Sequence, residues 1–194
     1  MRDGVNFMNT ALIIVDIQND YFPGGRMPLV GPVEASQQAA RLLAHFRRTR
    51  WPIIHIQHLA VRPSAMFFLP GTPGADFHPN VQPQPDEAIV QKNFPNSFRD
   101  TPLLDVLREK QISRLVICGM QTNMCVDAIT RAAADYGFEC IVAADACAAR
   151  DLTFDGHTVP AEQVHHAFLA ALNGSYAKVL KVDQILEQLP EDQV

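Results

Sequence analysis

Short apolar runs alternate with helix-length amphipathic segments along nearly the whole chain, and few architectures accept that pattern. Ala11-Leu12-Ile13-Ile14-Val15 is uninterrupted and ends at Asp16, as a strand covered on both faces should. From Glu34 to Arg50, Ala35, Ala39, Leu42, Leu43 and Phe46 recur at helical spacing, and Trp51-Pro52 stops the helix. Pro52 to His58 reads as a second strand, and Ala88 to Gln91 as a third that delivers Lys92. Thr101 and Pro102 open a helix to Lys110, with Thr101 as its cap. Leu115 to Cys118 is the fourth strand, Met124 to Tyr136 a helix, and Glu139 to Val142 the fifth strand. A helix over Pro160 to Leu172 and a strand over Lys178 to Leu180 complete the series. Such alternation predicts an α/β fold, a mostly parallel sheet with helices on both faces joined by right-handed crossovers.

At 194 residues and 47% hydrophobic content the chain can bury one substantial core, so a single domain over 1–194 is expected, with 1–9 as a peripheral extension. Sixteen Lys and Arg stand against twenty-one Asp and Glu, a net charge of -5 without a basic cluster. That leaves no electrostatic footprint for nucleic acid or an anionic membrane and favours a small neutral or polar substrate. Met1 to Thr10 lacks the apolar centre of a signal peptide and no segment reaches membrane-span length, so the expected setting is the cytoplasm. Cys118, Cys125, Cys140 and Cys147 form no C-x-x-C pair and are expected as free thiols.

In open parallel sheets, ligands bind beyond the carboxyl ends of the strands. Asp16 closes the first strand, Lys92 follows the third, and Cys125 lies just past the fourth, so the topology gathers all three at one edge. A thiol at a strand-to-helix turn meets unpaired backbone N–H groups and the positive end of a helix dipole, which favour its ionisation near neutral pH. The other three cysteines read as small buried hydrophobes. Leu59 to Glu87 is rich in Pro and Gly and, inside a compact domain, reads as a functional loop. His55 and His58 are three apart on a strand, point to opposite faces and cannot readily share a metal ion, with His78 a remote third candidate. No metal is expected, and His58 is placed at the substrate pocket instead.

The motifs Val15-Asp16-Ile17-Gln18-Asn19-Asp20-Tyr21-Phe22, Lys92-Asn93-Phe94-Pro95-Asn96-Ser97-Phe98 and Gly119-Met120-Gln121-Thr122-Asn123-Met124-Cys125-Val126, in this order, resemble those of the isochorismatase-like cysteine hydrolases. That superfamily also holds nicotinamidases and N-carbamoylsarcosine amidohydrolases. The resemblance implies a three-layer αβα, Rossmann-like six-stranded parallel sheet of order 3-2-1-4-5-6. It implies Asp16, Lys92 and Cys125 as a catalytic triad, a cis peptide between Met120 and Gln121, and a homodimer or homotetramer; no cofactor is expected. On that reading Cys125 attacks an acyl carbon, Asp16 moves the proton, Lys92 holds both anions, and the backbone N–H groups of Gln121 and Cys125 receive the oxyanion. Which triad member holds the proton at rest is left open by their coupling. Gln18, Phe22, His58 and Phe98 are the candidates for substrate contact, the two phenylalanines equally suited to core packing. Nicotinamidases carry an Asp-x-His pair after the second strand; His55-Ile56-Gln57-His58 lacks that Asp, which argues against nicotinamide as substrate. Asp151 to Gln163 is a candidate cover for the site.

The expected activity is hydrolysis of a small amide, carbamoyl or related acyl compound. Two alternatives are an isochorismatase-type vinyl ether hydrolase, which Cys125 argues against, and a non-catalytic binding or thiol-sensing module, which an intact triad argues against.

Overall fold

A computed structural model describes residues 9–190; residues 1–8, most of the expected extension, lie outside the described residues. Strands β1 (Thr10–Val15), β2 (Ile53–His58), β3 (Ala88–Lys92), β4 (Arg114–Met120) and β5 (Glu139–Ala148) follow the apolar runs of the sequence. Between and after them come helices α1 (Pro32–Thr49), α2 (Leu103–Glu109) and α3 (Asp127–Asp135). Two short strands, β6 (Leu152–Phe154) and β7 (His157–Val159), precede α4 (Ala161–Leu172), β8 (Lys178–Leu180) and α5 (Val182–Leu186). The sheet is six-stranded and parallel in the order β3-β2-β1-β4-β5-β8, the Rossmann-like arrangement. Its sixth strand is the eighth in the chain because β6 and β7 form a separate antiparallel hairpin. Asp155-Gly156, both at positive φ, turn that hairpin, as an Asp-Gly pair readily does. Its strands are too short and polar to register as strands in the sequence.

Alternate strand residues sort into two cores. Leu12, Ile14, Val116, Ile141 and Ala143 pack with Ala39, Leu42, Leu43 and Phe46 of α1 and Val182 and Ile185 of α5. Ala11, Ile13, Val15, Ile54, Leu115, Ile117 and Val142 pack on the other face with Leu103 and Leu107 of α2, Ile129 and Ala133 of α3, and Leu169 and Leu172 of α4. This is why the strands read as continuous apolar runs: both of their faces are dry. Among the described residues no helix is long and apolar enough to cross a membrane. Helix α2 starts later than its sequence suggests, at Leu103, with Thr101 Oγ1 accepting from the Leu103 N–H at 3.3 Å.

Two local devices set the geometry of the sheet edge that matters. β4 passes β1 with Gly119 opposite Val15, and Gly119 has φ +130°, where a Cβ would collide with the Val15 carbonyl. At the opposite end, Glu87 just before β3 accepts from Arg47 at 2.6 and 2.9 Å, pairs with His55 Nε2 at 2.8 Å and accepts from the Gln84 N–H at 2.9 Å. The cluster ties α1 and β2 to the strand that carries Lys92. Burial alone would raise the Glu87 carboxyl, but Arg47, the Gln84 N–H and His55 pull it down to about 2. Burial keeps His55 neutral by lowering it.

Gly119→Ala is expected to cost about 2–4 kcal/mol by backbone collision and strain, read as a lower urea midpoint. A carboxyl depressed on folding stabilises the protein above its unfolded value of 4.5, and that stabilisation is lost as pH falls toward about 2. Urea denaturation of wild type and Glu87→Gln should therefore show a gap of about 1–3 kcal/mol near neutral pH. The gap should narrow through the same acid range.

Candidate active site

Asp16 follows β1 at φ 49°, a left-handed turn in which its N–H still donates to Ile56 O at 3.1 Å while its carbonyl accepts from the Gln18 N–H at 2.9 Å. The carboxylate is completely buried at the sheet's carboxyl edge. Lys92 ends β3, pairs with His58 of β2 in parallel register, and is also buried. Cys125 sits in a π-helical turn, Thr122–Val126, closed by the Val126 N–H donating to Gln121 O at 3.2 Å. The Met120–Gln121 peptide entering that turn is cis. Helix α3 proper begins only at Asp127.

Lys92 Nζ is the centre of the cluster. It lies 2.7 Å from Asp16 Oδ2, 3.0 Å from His58 Nδ1, 3.1 Å from Phe94 O and 3.2 Å from Cys125 Sγ. Donor atoms of Asp16, His58 and Cys125 lie within 4.8 Å of one another, a set that would suit a thiophilic metal ion. The ammonium already stands among those three donors, so the residues present do not fit a metal there: the cation of this site is Lys92.

The electrostatics correct one expectation. Burial first, and the Asp16 charge second, push the Cys125 thiol up, against the opposing pull of Lys92. In the free protein the thiol is the favoured form, and the turn's positive end does not by itself make a thiolate. Burial works against the Lys92 charge, but Asp16 and Cys125 more than offset it and hold the ammonium raised. Burial and Lys92 together lower His58 to about 4, so it is a neutral imidazole at physiological pH.

This geometry can be set beside known proteins. The family model for the isochorismatase domain matches residues 10–184. The chain belongs to the isochorismatase family. It is 47% identical to the uncharacterized isochorismatase family protein YddQ of Bacillus subtilis (strain 168) over 93% of this chain and 100% of that one. Maleamate amidohydrolase of Pseudomonas putida is 28% identical over 92% of this chain and 86% of its own length. A crystallised protein of Oleispira antarctica assigned to the isochorismatase hydrolases superposes with a TM-score of 0.90 at 50% identity, covering 94% of this chain and 98% of that chain. The isochorismatase family is thus one of hydrolases in which amidohydrolases occur.

The remaining sequence candidates fall in different places. Gln18 is fully buried; its Nε2 donates to His58 O at 2.9 Å and Ala75 O at 2.8 Å, and its Oε1 accepts from the His58 N–H at 2.7 Å. Those bonds engage the amide in bracing β2 and the Pro/Gly-rich loop. Phe22 stacks on His78 with ring centroids 3.7 Å apart, and Phe98 packs against Tyr136 at 5.1 Å. His58 stands at the cluster itself, while the His55 ring turns away to Glu87, so the two histidines part as the strand period requires.

Four residues in and around this isochorismatase-family site escaped the sequence reading. Asp20 Oδ2 accepts from the Phe68 N–H at 2.6 Å and Oδ1 from the Arg26 N–H at 3.1 Å, pinning the long loop to the segment after β1. Tyr21 packs on Phe68 at 4.6 Å, and burial raises its phenol. Thr122 Oγ1 lies 2.9 Å from His165 Nδ1, linking the turn that carries Cys125 to α4. Asp20 and Tyr21 lie in the first motif, beside the residues that drew attention; nothing local marks His165.

Removing the Asp16 charge should leave the thiol facing Lys92 alone. Asp16→Asn is expected to speed alkylation of Cys125 by iodoacetamide at pH 7 by about threefold for each unit the thiol comes down, because extra thiolate is partly offset by weaker nucleophilicity. Peptide mass mapping, which separates Cys125 from the other cysteines, reads this out, and a slower reaction would contradict the assignment.

Proposed function

We propose that the protein is a cysteine amidohydrolase that cleaves small amide, carbamoyl or related acyl compounds through a thioester. The reading rests on one observation, the buried Lys92 ammonium held between the Asp16 carboxylate at 2.7 Å and the Cys125 thiol at 3.2 Å. The Cys125 thiol and the Asp16 carboxyl, both in reach of Lys92, are arranged for proton transfer coupled to attack. As the sulfur–carbon bond forms, Asp16 takes the thiol proton, and Lys92 keeps the site's charge balanced while the anion moves from oxygen to sulfur.

Charge then develops on the substrate carbonyl oxygen, and the backbone N–H groups of Gln121 and Cys125 are the proposed donors to it. Asp16 returns its proton to the departing nitrogen, the carbon–nitrogen bond breaks, and an amine or ammonia leaves a thioester on Cys125. Water adds to that thioester, Asp16 accepts the water proton, and reprotonation of sulfur releases the carboxylic acid. The oxyanion is met twice by the same donors. Similarity to maleamate amidohydrolase supports an amide as the scissile group.

Ammonia release across a panel of small primary amides tests the reading. At least one member should turn over in the wild type, with kcat/KM falling by about a thousandfold or more in Cys125→Ala, since no other group supplies the nucleophile. Full activity in that variant would remove Cys125 from the mechanism. A trapped acyl adduct on Cys125, seen by intact mass, should accumulate when the pH is lowered during turnover.

A further inference from the structure

Lys92 carries hydrogens on its ammonium and no lone pair, so its 3.0 Å contact with His58 Nδ1 requires that nitrogen to be bare. In a neutral imidazole, the hydrogen is then on Nε2. Turning the ring over would put the Cδ2 carbon against the ammonium, so the contact with Lys92 fixes the ring's orientation as well as its tautomer, and Nε2 is the donor. Among the described residues that donor has no hydrogen-bond partner. His58 is also the accessible member of the cluster. The His58 side chain is 18% exposed, whereas those of Asp16 and Lys92 are fully buried. Cys125 is buried as well. Phe68, itself buried, backs the ring at 5.7 Å, and a His58 nitrogen lies within 4.8 Å of the Cys125 sulfur. A molecule approaching the thiol therefore meets a side-chain N–H that Lys92 holds in place.

We infer that His58 is a specificity residue whose outward N–H donates to the substrate, so that preferred substrates are small amides carrying a second hydrogen-bond acceptor, a carbonyl or carboxylate oxygen, close to the scissile carbonyl. The inference rests on the amidohydrolase reading for the word substrate, but the donor itself follows from Lys92 and His58 alone. A compound presenting an N–H at this point would oppose two donors and leave both unpaired, which costs more than a missing contact. Lys92 thus has a second duty: besides pairing with Asp16 and Cys125, it locks the tautomer that reads the ligand.

The test separates the two readings. Ring nitrogen NMR of histidine-labelled wild type at neutral pH should show His58, assigned by its loss in His58→Gln, as a neutral ring protonated on the nitrogen away from Lys92. Lys92→Met should abolish that preference. Binding is measured on Cys125→Ala with succinamate and butanamide, which differ by a carboxylate for a methyl group. Succinamate should bind about tenfold or more tighter, the difference should shrink to about twofold when His58→Leu is added, and His58→Gln, which keeps an N–H, should retain part of it. A charged ring, the other tautomer, equal binding of the two amides, or a preference untouched by His58→Leu would each overturn the inference. Turnover by wild type is scored separately. Hydrolysis alongside failed His58 outcomes sinks only the specificity role, while His58 outcomes as expected without hydrolysis of any amide sink only the enzymatic reading.

Discussion

A buried ammonium that touches a carboxylate, an imidazole, a thiol and a backbone carbonyl at once is the constraint around which this protein is arranged. Desolvating a lysine is costly, and only a partner charge with good geometry offsets it. Asp16 is that partner, and with Cys125 it holds the Lys92 ammonium raised in a place water does not reach. The thiol is kept protonated by burial first and then by the same carboxylate that the proposed mechanism uses to deprotonate it. The pair therefore stores a proton transfer without completing it in the absence of a ligand.

The rest of the architecture exists, in physical terms, to bring three strand ends to that ammonium. Parallel pairing of β1 with β2 and β4, and of β2 with β3, aligns their carboxyl ends within one register. Gly119 allows β4 to run against the Val15 carbonyl, and the π-helical turn then returns Cys125 toward Asp16. The long loop is not loose: Gln18 and Asp20, both buried, clamp it by their amide and carboxylate, and Tyr21 packs on its Phe68. A single motif after β1 thus supplies the carboxylate, the clamp and an aromatic wall.

Local chemistry misled the sequence reading where burial decided the outcome. A cysteine ahead of a helix invites the inference of an easily formed thiolate, yet Cys125 lies in a dry turn facing an anion, and those two effects prevail. The bracing bonds of the Gln18 amide to the His58 and Ala75 backbone were likewise invisible in the sequence, since those partners lie 40 and 57 positions away. The β6–β7 hairpin and α5 are too short to carry a periodic signal, and the hairpin depends on one Asp-Gly turn.

Taken alone, the chain's amino acids determined the parallel α/β fold, the strand order implied by resemblance, and the identity of Asp16, Lys92 and Cys125 as residues that meet, because apolar periodicity and strand-end position are local properties. Only the tertiary structure decided which of them is charged, that Lys92 fills the place a metal would take, and that His58 turns a donor outward. Those depend on desolvation and on distances between residues tens of positions apart, and no stretch of sequence contains either.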